Sequence, residues 1–115
     1  MGASYRAHFL RGLRGTVAGD TFVVGRWVLL GRGPEADIRL PDSTVSRVHA
    51  AIAWAEGSGF VLGDLGSATG VYVNGRRVEQ ARLEAGDRIR LGAVEFAFRP
   101  APVSAGTLPG DRAVA

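Results

Sequence analysis

The sequence of 115 residues contains no cysteine and no lysine. The lack of cysteine excludes a disulfide framework, a thiolate zinc site and a cysteine nucleophile, and it is typical of a reducing compartment. We therefore expect a cytoplasmic protein. Arginine supplies every basic residue, and the net charge is +3. A GC-rich genome accounts for this usage, although arginine also suits fork-like contacts with phosphate.

Long apolar runs are also missing. No stretch approaches the ~20 apolar residues that a membrane helix needs, and the first residues lack the apolar core of a signal peptide. No basic cluster alternates with aromatic residues, and no recognition helix is indicated. We therefore expect neither a membrane nor nucleic acid as a partner.

Motifs for catalysis and metal binding are absent too. His8 and His49 fall in separate strand-like segments, and neither belongs to a metal-binding spacing such as H-E-x-x-H. The segment Gly31-Arg32-Gly33-Pro34 is rich in glycine but lacks the Gly-Lys-Ser/Thr of a P-loop. The sequence therefore predicts no enzyme, no metal site and no cofactor.

What is present is a series of short segments rich in β-branched and aromatic residues, separated by Gly, Asp, Pro or Asn. Such segments predict an all-β fold, and their number predicts a β-sandwich rather than one flat sheet. Alternate residues such as Ile89 and Leu91, or Val94, Phe96 and Phe98, are expected in the core. The predicted strands are Ser4–Leu10, Thr21–Val24, Trp27–Gly31, Ile38–Leu40, His49–Trp54, Phe60–Asp64, Val71–Val73, Arg88–Leu91 and Val94–Phe98.

A hairpin is predicted between Val71 and Val78, because Asn74-Gly75 tolerates the positive φ angles of a two-residue type I′ turn. The composition changes after Arg99, where proline and glycine leave little to bury. We expect one domain over residues 1–99 and a disordered tail or linker over residues 100–115.

Polar residues cluster where predicted strands end. In order, the chain contains Gly31-Arg32, Ser46-Arg47-Val48-His49, Ser67-Ala68-Thr69-Gly70, Val73-Asn74-Gly75 and Gly86-Asp87. These five segments, in this order and spacing, resemble the forkhead-associated (FHA) domain over about Ser4 to Phe98. The family pattern is Gly-Arg, Ser-x-x-His, Ser-x-Asn-Gly, a Val-Asn-Gly turn and a later Gly-Asp.

The resemblance implies a sandwich of about eleven mostly antiparallel strands that binds phosphothreonine peptides through loops at one end. It further implies a role in serine/threonine kinase signalling, with a phosphorylated kinase or kinase substrate as the partner. The implied phosphopeptide-binding residues are Arg32, Ser46, Arg47, Ser67 and Thr69. The residues implied to shape the loops are Gly31, His49, Gly70, Asn74 and Gly75.

Without this context, each binding residue has a simpler interpretation. Arg32 would be a solvated loop cation or would form a surface salt bridge with Glu35 or Asp37. Ser46 would be a turn serine bonded to its own backbone. Arg47 would be a solvated charge.

The family pattern is broken at Thr69, where relatives usually carry an asparagine that grips the peptide backbone. A hydroxyl cannot pair with both a C=O and an N–H in amide geometry. Ala68 stands where many relatives carry a hydroxyl residue, and Thr44 occupies a position that helps to select the peptide sequence. These changes support an alternative, in which the domain keeps the fold but works as a phosphate-independent interaction or assembly module.

Overall fold

Short strands account for most of the residues that the structure describes. The computed structural model describes residues 5–101, and eleven strands and one 3-10 turn, Gly15–Val17, lie within them. The strands are β1 (His8–Arg14), β2 (Thr21–Val24), β3 (Trp27–Gly31), β4 (Ile38–Arg39), β5 (Ala50–Ala55), β6 (Gly59–Asp64), β7 (Val71–Val73), β8 (Arg76–Val78), β9 (Gln80–Arg82), β10 (Arg88–Leu91) and β11 (Val94–Pro100).

The strands form two sheets. One has six strands in the order β2-β1-β11-β10-β7-β8, and the other has five in the order β4-β3-β5-β6-β9. The pairing is antiparallel except between β3 and β4, which run parallel. The predicted all-β sandwich is confirmed. No helix within residues 5–101 is long and apolar enough to cross a membrane.

Alternation along the strands builds the core between the sheets. Ile89, Leu91, Val94, Phe96 and Phe98 are all buried, as the period-two pattern predicts. Burying one such side chain stabilises the fold by about 1.5 to 3 kcal/mol relative to exposure. The central strands β10 and β11 are thus fixed in register by their apolar faces.

The hairpin between β7 and β8 has the predicted geometry. Asn74 has φ 52° and Gly75 has φ 84°, and Val73 pairs directly with Arg76 across the two-residue turn. The amide oxygen of Asn74 accepts the backbone N–H of Arg88 at 2.9 Å, which ties the turn to the start of β10.

The predicted strands do not include β9, β8 was predicted only as the second arm of the hairpin, and several predicted strand ends differ from those of the structure. The strands β8 and β9 are edge strands with mostly polar residues, so they lack the apolar alternation that marks a strand in sequence. The strand β1 extends to Arg14 rather than ending at Leu10. Its second half contains Gly12 and two arginines, which obscure the pattern.

The last strand ends at Pro100, and the N–H of Ala101 donates to the carbonyl of Ala7 at 3.0 Å. Pro100, which was assigned to the tail, therefore pairs with His8 in the sheet. Beyond residue 101 the predicted tail lies outside the described residues.

Candidate functional site

Three loops meet at one end of the sandwich: the loop after β3, the loop before β5 and the loop from β6 to β7. The backbone N–H of Arg32 donates to the carbonyl of Ser46 at 2.9 Å, and that of Gly33 donates to the carbonyl of Arg47 at 3.0 Å. These bonds hold the first two loops side by side. They bring Arg32, Ser46 and Arg47 together as the sequence predicts.

Two glycines permit the close approach of these loops. A Cβ at Gly31 would collide with the carbonyl oxygen of Arg47. Gly70 has φ +87°, and an ideal Cβ there would lie 2.7 Å from Nε of Arg77. A side chain at Gly31 would therefore push the two loops apart, whereas one at Gly70 would strain a left-handed backbone position and displace the Arg77 side chain. Asn74 and Gly75, by contrast, lie at the other end of β7, away from the site.

The side chain of Arg32 is anchored at one nitrogen. Its Nε donates to the carbonyl of Val45 at 3.0 Å. Within residues 5–101 the guanidinium forms no ion pair, so of the two simpler interpretations the salt bridge with Glu35 or Asp37 does not occur. The two terminal nitrogens are therefore available to an anion in the fork geometry that phosphate favours.

Ser46 links the second loop to the third. Its hydroxyl oxygen accepts the backbone N–H of Ala68 at 3.0 Å. The hydroxyl proton is still available for donation, since the oxygen acts only as an acceptor in this bond. Ser46 can therefore donate to an anion held by Arg32. Ala68 contributes its backbone but no hydroxyl.

Arg47 lies beside the same loops, but its guanidinium is turned toward an acidic neighbour. One terminal nitrogen lies 3.7 Å from a carboxylate oxygen of Glu35, and the two side chains are 60% and 46% exposed. An exposed pair of this kind contributes about 0 to 1 kcal/mol. Arg47 can therefore leave Glu35 for a dianionic ligand at little cost.

His49 is fully buried and joins the second loop to the third. Its Nδ1 accepts the backbone N–H of Ser46 at 3.0 Å, so the proton resides on Nε2, which donates to the carbonyl of Gly70 at 2.9 Å. The ring is therefore neutral and faces the protein interior. Its position matches the bracing role that the resemblance implies.

The third loop is closed by its own side chains. The carboxylate of Asp64 accepts the N–H of Ser67 at 2.8 Å, and the hydroxyl oxygen of Ser67 accepts the N–H of Gly70 at 3.0 Å. Partial burial raises the pKa of Asp64, but the hydrogen bonds from Ser67, together with that from the backbone of Gly66 and other nearby polar groups, hold this pKa below its ordinary value. Ser67 thus shapes the loop, and ligand binding by Ser67 stays a prediction.

Thr69 and Thr44 are joined by a hydrogen bond. The hydroxyl of Thr69 donates to the carbonyl of Thr44 at 3.0 Å. The hydroxyl of Thr44 donates to the carboxylate of Asp42 and accepts the N–H of Ala93 at 2.8 Å. Hydrogen bonds from the hydroxyl and the backbone N–H of Thr44 lower the pKa of Asp42. Both threonine hydroxyls are therefore engaged within the protein.

Sequence reasoning missed three residues at this end of the molecule. Asp42 and Asp64 fix the second and third loops, and the Asp-x-Thr and Asp-x-x-Ser spacings are signals of such turns. Arg77 fills the space beside Gly70, and no sequence signal indicates this contact. Within residues 5–101 no group of three or more His, Cys, Asp or Glu side chains is placed to hold a metal ion.

Comparison with known proteins agrees with this geometry. The FHA domain profile matches residues 28–92. The glycogen accumulation regulator GarA of Mycolicibacterium smegmatis is 40% identical over 92 residues, which cover 79% of this chain and 58% of GarA. A structure solved for phosphothreonine-dependent FHA domain interactions is 37% identical, with a TM-score of 0.74, over 84% of this chain and 99% of that one.

EmbR of Mycobacterium tuberculosis, solved in complex with a low-affinity phosphopeptide, is 32% identical with a TM-score of 0.74. That similarity covers 90% of this chain and 26% of EmbR. This chain thus spans less than two thirds of the length of GarA and of EmbR.

The sandwich and its three linked loops define a class of protein, the β-sandwich with a loop site at one end. Within that class, the chain belongs to the FHA domain family. The predicted family and fold are confirmed.

Proposed function

We propose that Arg32, Ser46 and Arg47 bind the phosphate of a phosphothreonine in a partner protein. The observation that carries this proposal is the anchoring of Arg32: Nε is held by Val45, while both terminal nitrogens lack a protein partner within residues 5–101. The Ser46 hydroxyl supplies a further donor from the adjacent loop. Arg47 exchanges Glu35 for the phosphate.

A few such contacts are enough for signalling affinity. A hydrogen bond to a charged group contributes about 1.5 to 3 kcal/mol. Micromolar binding corresponds to about −8 kcal/mol. Three donors around one dianion supply about 4.5 to 9 kcal/mol before the costs of association are subtracted, so we expect binding no tighter than the micromolar range.

The grip on the peptide backbone is weaker than the grip on the phosphate. Thr69 takes the place of the usual asparagine, and its single proton already bonds to Thr44. To donate to a peptide, this hydroxyl must first give up its hydrogen bond to the carbonyl of Thr44. Ala68 offers only a methyl group. We expect the phosphate to dominate affinity and the flanking peptide residues to add little.

We further propose that the partner is a serine/threonine kinase or one of its substrates, and that binding takes place in the cytoplasm. Support for the partner comes from the phosphopeptide bound to EmbR. Support for the compartment comes from the cysteine-free composition. The domain recruits its partner without catalysing a reaction, as expected of a chain similar to a regulator such as GarA.

The test is titration with matched phosphothreonine, phosphoserine and unphosphorylated peptide libraries, read by fluorescence anisotropy. We expect binding of phosphothreonine peptides, lost on phosphatase treatment and reduced more than tenfold by Arg32→Ala. Arg82→Ala is the matched control, since Arg82 is an exposed arginine on a strand away from the loops. Equal effects of the two substitutions, or failure of every phosphothreonine library, would defeat the proposal.

A phosphate-independent interaction module is the second candidate. It is favoured by the outer face of the five-stranded sheet, where Trp27 is 57% exposed and pairs with Ala53, which in turn pairs with Val61. This face carries little charge at its centre. The candidate predicts partner binding that survives Arg32→Ala but is lost after Ala53→Glu.

A further inference from the structure

The outer face of the six-stranded sheet is strongly basic. Strand registers place six arginines on this face and only one acidic residue, Glu95, among the described strand residues. This face alone has more formal positive charge than the whole chain, whose net charge is +3, so the remainder is net negative. The six arginines are Arg11, Arg14, Arg77, Arg88, Arg90 and Arg99.

Glu95 neutralises only part of this charge. It lies 3.5 Å from Arg14 and 3.7 Å from Arg88. Arg90 stacks over the ring of Tyr72, 4.0 Å from its centroid. The others, Arg11, Arg77 and Arg99, form no ion pair within residues 5–101. The face therefore has an excess of exposed guanidinium groups.

Two of these arginines flank an apolar groove. The groove has a volume of about 260 Å³ and is lined by Phe9, Leu13 and Ala97 together with Arg11 and Arg99. Phe9 pairs with Arg99 and Arg11 pairs with Ala97, so the two arginines are diagonal neighbours on adjacent strands. Diagonal neighbours are about 7 to 8 Å apart.

We propose that this groove binds an acidic segment of a partner protein, with an apolar side chain over Phe9 and carboxylates on Arg11 and Arg99. In an extended peptide, alternate residues are about 7 Å apart, which matches the separation of the two arginines. Arginine forks pair with carboxylates in a bidentate manner. The apolar floor favours a peptide over nucleic acid, because phosphate contacts alone would leave Phe9 and Leu13 exposed.

The groove is separate from the phosphate site but close enough for one partner to reach both. Arg14 pairs with Glu95 near the start of β11, next to the turn that contains Ala93. The N–H of Ala93 donates to the hydroxyl of Thr44 in the second loop. The groove thus extends along β1 from the end of the sandwich that carries the loops. Its occupancy does not depend on phosphorylation.

The probe is a short unphosphorylated peptide with two glutamates and a leucine at alternate positions, so that all three side chains face the groove when the peptide is extended, and its binding is measured by calorimetry at low salt. We expect the double variant Arg11→Glu/Arg99→Glu to lower affinity about tenfold, since two attractive contacts become repulsive. The control is Arg82→Glu, an exposed strand arginine on the other sheet, and it should leave affinity unchanged. The milder variant Arg11→Gln/Arg99→Gln should lower the affinity for the probe by a smaller factor. Because it adds no negative charge to the sheet, it tests the groove even if the glutamate variant misfolds.

Phosphothreonine peptide binding separates the two proposals. Arg32→Ala should weaken binding of the phosphothreonine peptide more than tenfold and leave the affinity for the acidic probe unchanged. Arg11→Glu/Arg99→Glu should weaken binding of the acidic probe and leave the affinity for the phosphothreonine peptide unchanged. Three outcomes would overturn the groove proposal: no binding of the probe, an equal loss with Arg82→Glu, or tighter binding of duplex DNA or phosphatidylserine vesicles through the same arginines.

Discussion

The hydroxyl of Thr69 donates a hydrogen bond to the carbonyl of Thr44, 3.0 Å away, and so joins the third loop of the site to the second. This bond uses the only proton on the side chain that replaces the family asparagine. The site therefore holds its loops together with the side chain at a position where the family resemblance implies a contact with the ligand.

Thr69→Asn should strengthen phosphothreonine peptide binding by about fivefold, since an amide adds a donor and an acceptor for the peptide backbone. Fluorescence anisotropy with one phosphothreonine peptide measures the change. In an Arg32→Ala background the gain should be much smaller, because the phosphate no longer fixes the peptide. An unchanged or weaker affinity would mean that the bond to Thr44 matters more than the missing amide.

Removal of the buried imidazole should destabilise the fold. In His49→Ala, the N–H of Ser46 and the carbonyl of Gly70 lose their partner and a cavity remains, which together should lower the free energy of unfolding by about 2 to 4 kcal/mol. Urea unfolding measures this quantity. Arg47→Ala, an exposed neighbour, should change it by less than about 0.5 kcal/mol. A comparable loss in both variants would contradict the bracing role.

Glu35→Ala should raise affinity for a phosphothreonine peptide severalfold. The substitution frees Arg47 and removes a negative charge from the vicinity of the phosphate, while the exposed pair contributes little to stability. The gain should shrink as salt is added, because these charges are solvent-exposed. If Glu35→Ala has no effect at low salt, then Arg47 does not contact the phosphate.

The third loop should lose stability in acid. Because the folded-state pKa of Asp64 is lowered, its carboxylate contributes stability above the unfolded-state pKa, and this contribution disappears as pH falls through the lower folded-state value. The difference in unfolding free energy between the wild type and Asp64→Asn should therefore be largest near neutral pH and smaller at about pH 3. If this difference in unfolding free energy grows as the pH falls, the folded-state pKa of Asp64 is not lowered and the prediction is wrong.

The sequence was sufficient for the fold class and for the placement of Arg32 and Ser46 in one candidate site. Ile89 and Leu91 show the period of two, Asn74-Gly75 specifies its turn by backbone preference alone, and Arg32 and Ser46 stand at fixed places in the family pattern. The first two signals are local and can be recognised without knowledge of the distant chain, whereas Arg32 and Ser46 were identified from the order and spacing of five segments.

What could not be predicted depends on contacts between segments far apart in sequence. Thr69 and Thr44 are separated by 25 residues, and nothing in either segment indicates that they bond. The same holds for Arg77 beside Gly70. The edge strand β9 was missed because its neighbouring strand, rather than its own apolar residues, imposes its conformation.

The bonds between Arg32 and Ser46, and between Gly33 and Arg47, mean that the loops are already arranged before a ligand arrives. A phosphopeptide then meets a preorganised surface, and little conformational entropy is lost on the protein side. Association should be a single kinetic step. Peptides that differ in affinity should therefore share similar on-rates and differ mainly in how long they stay bound.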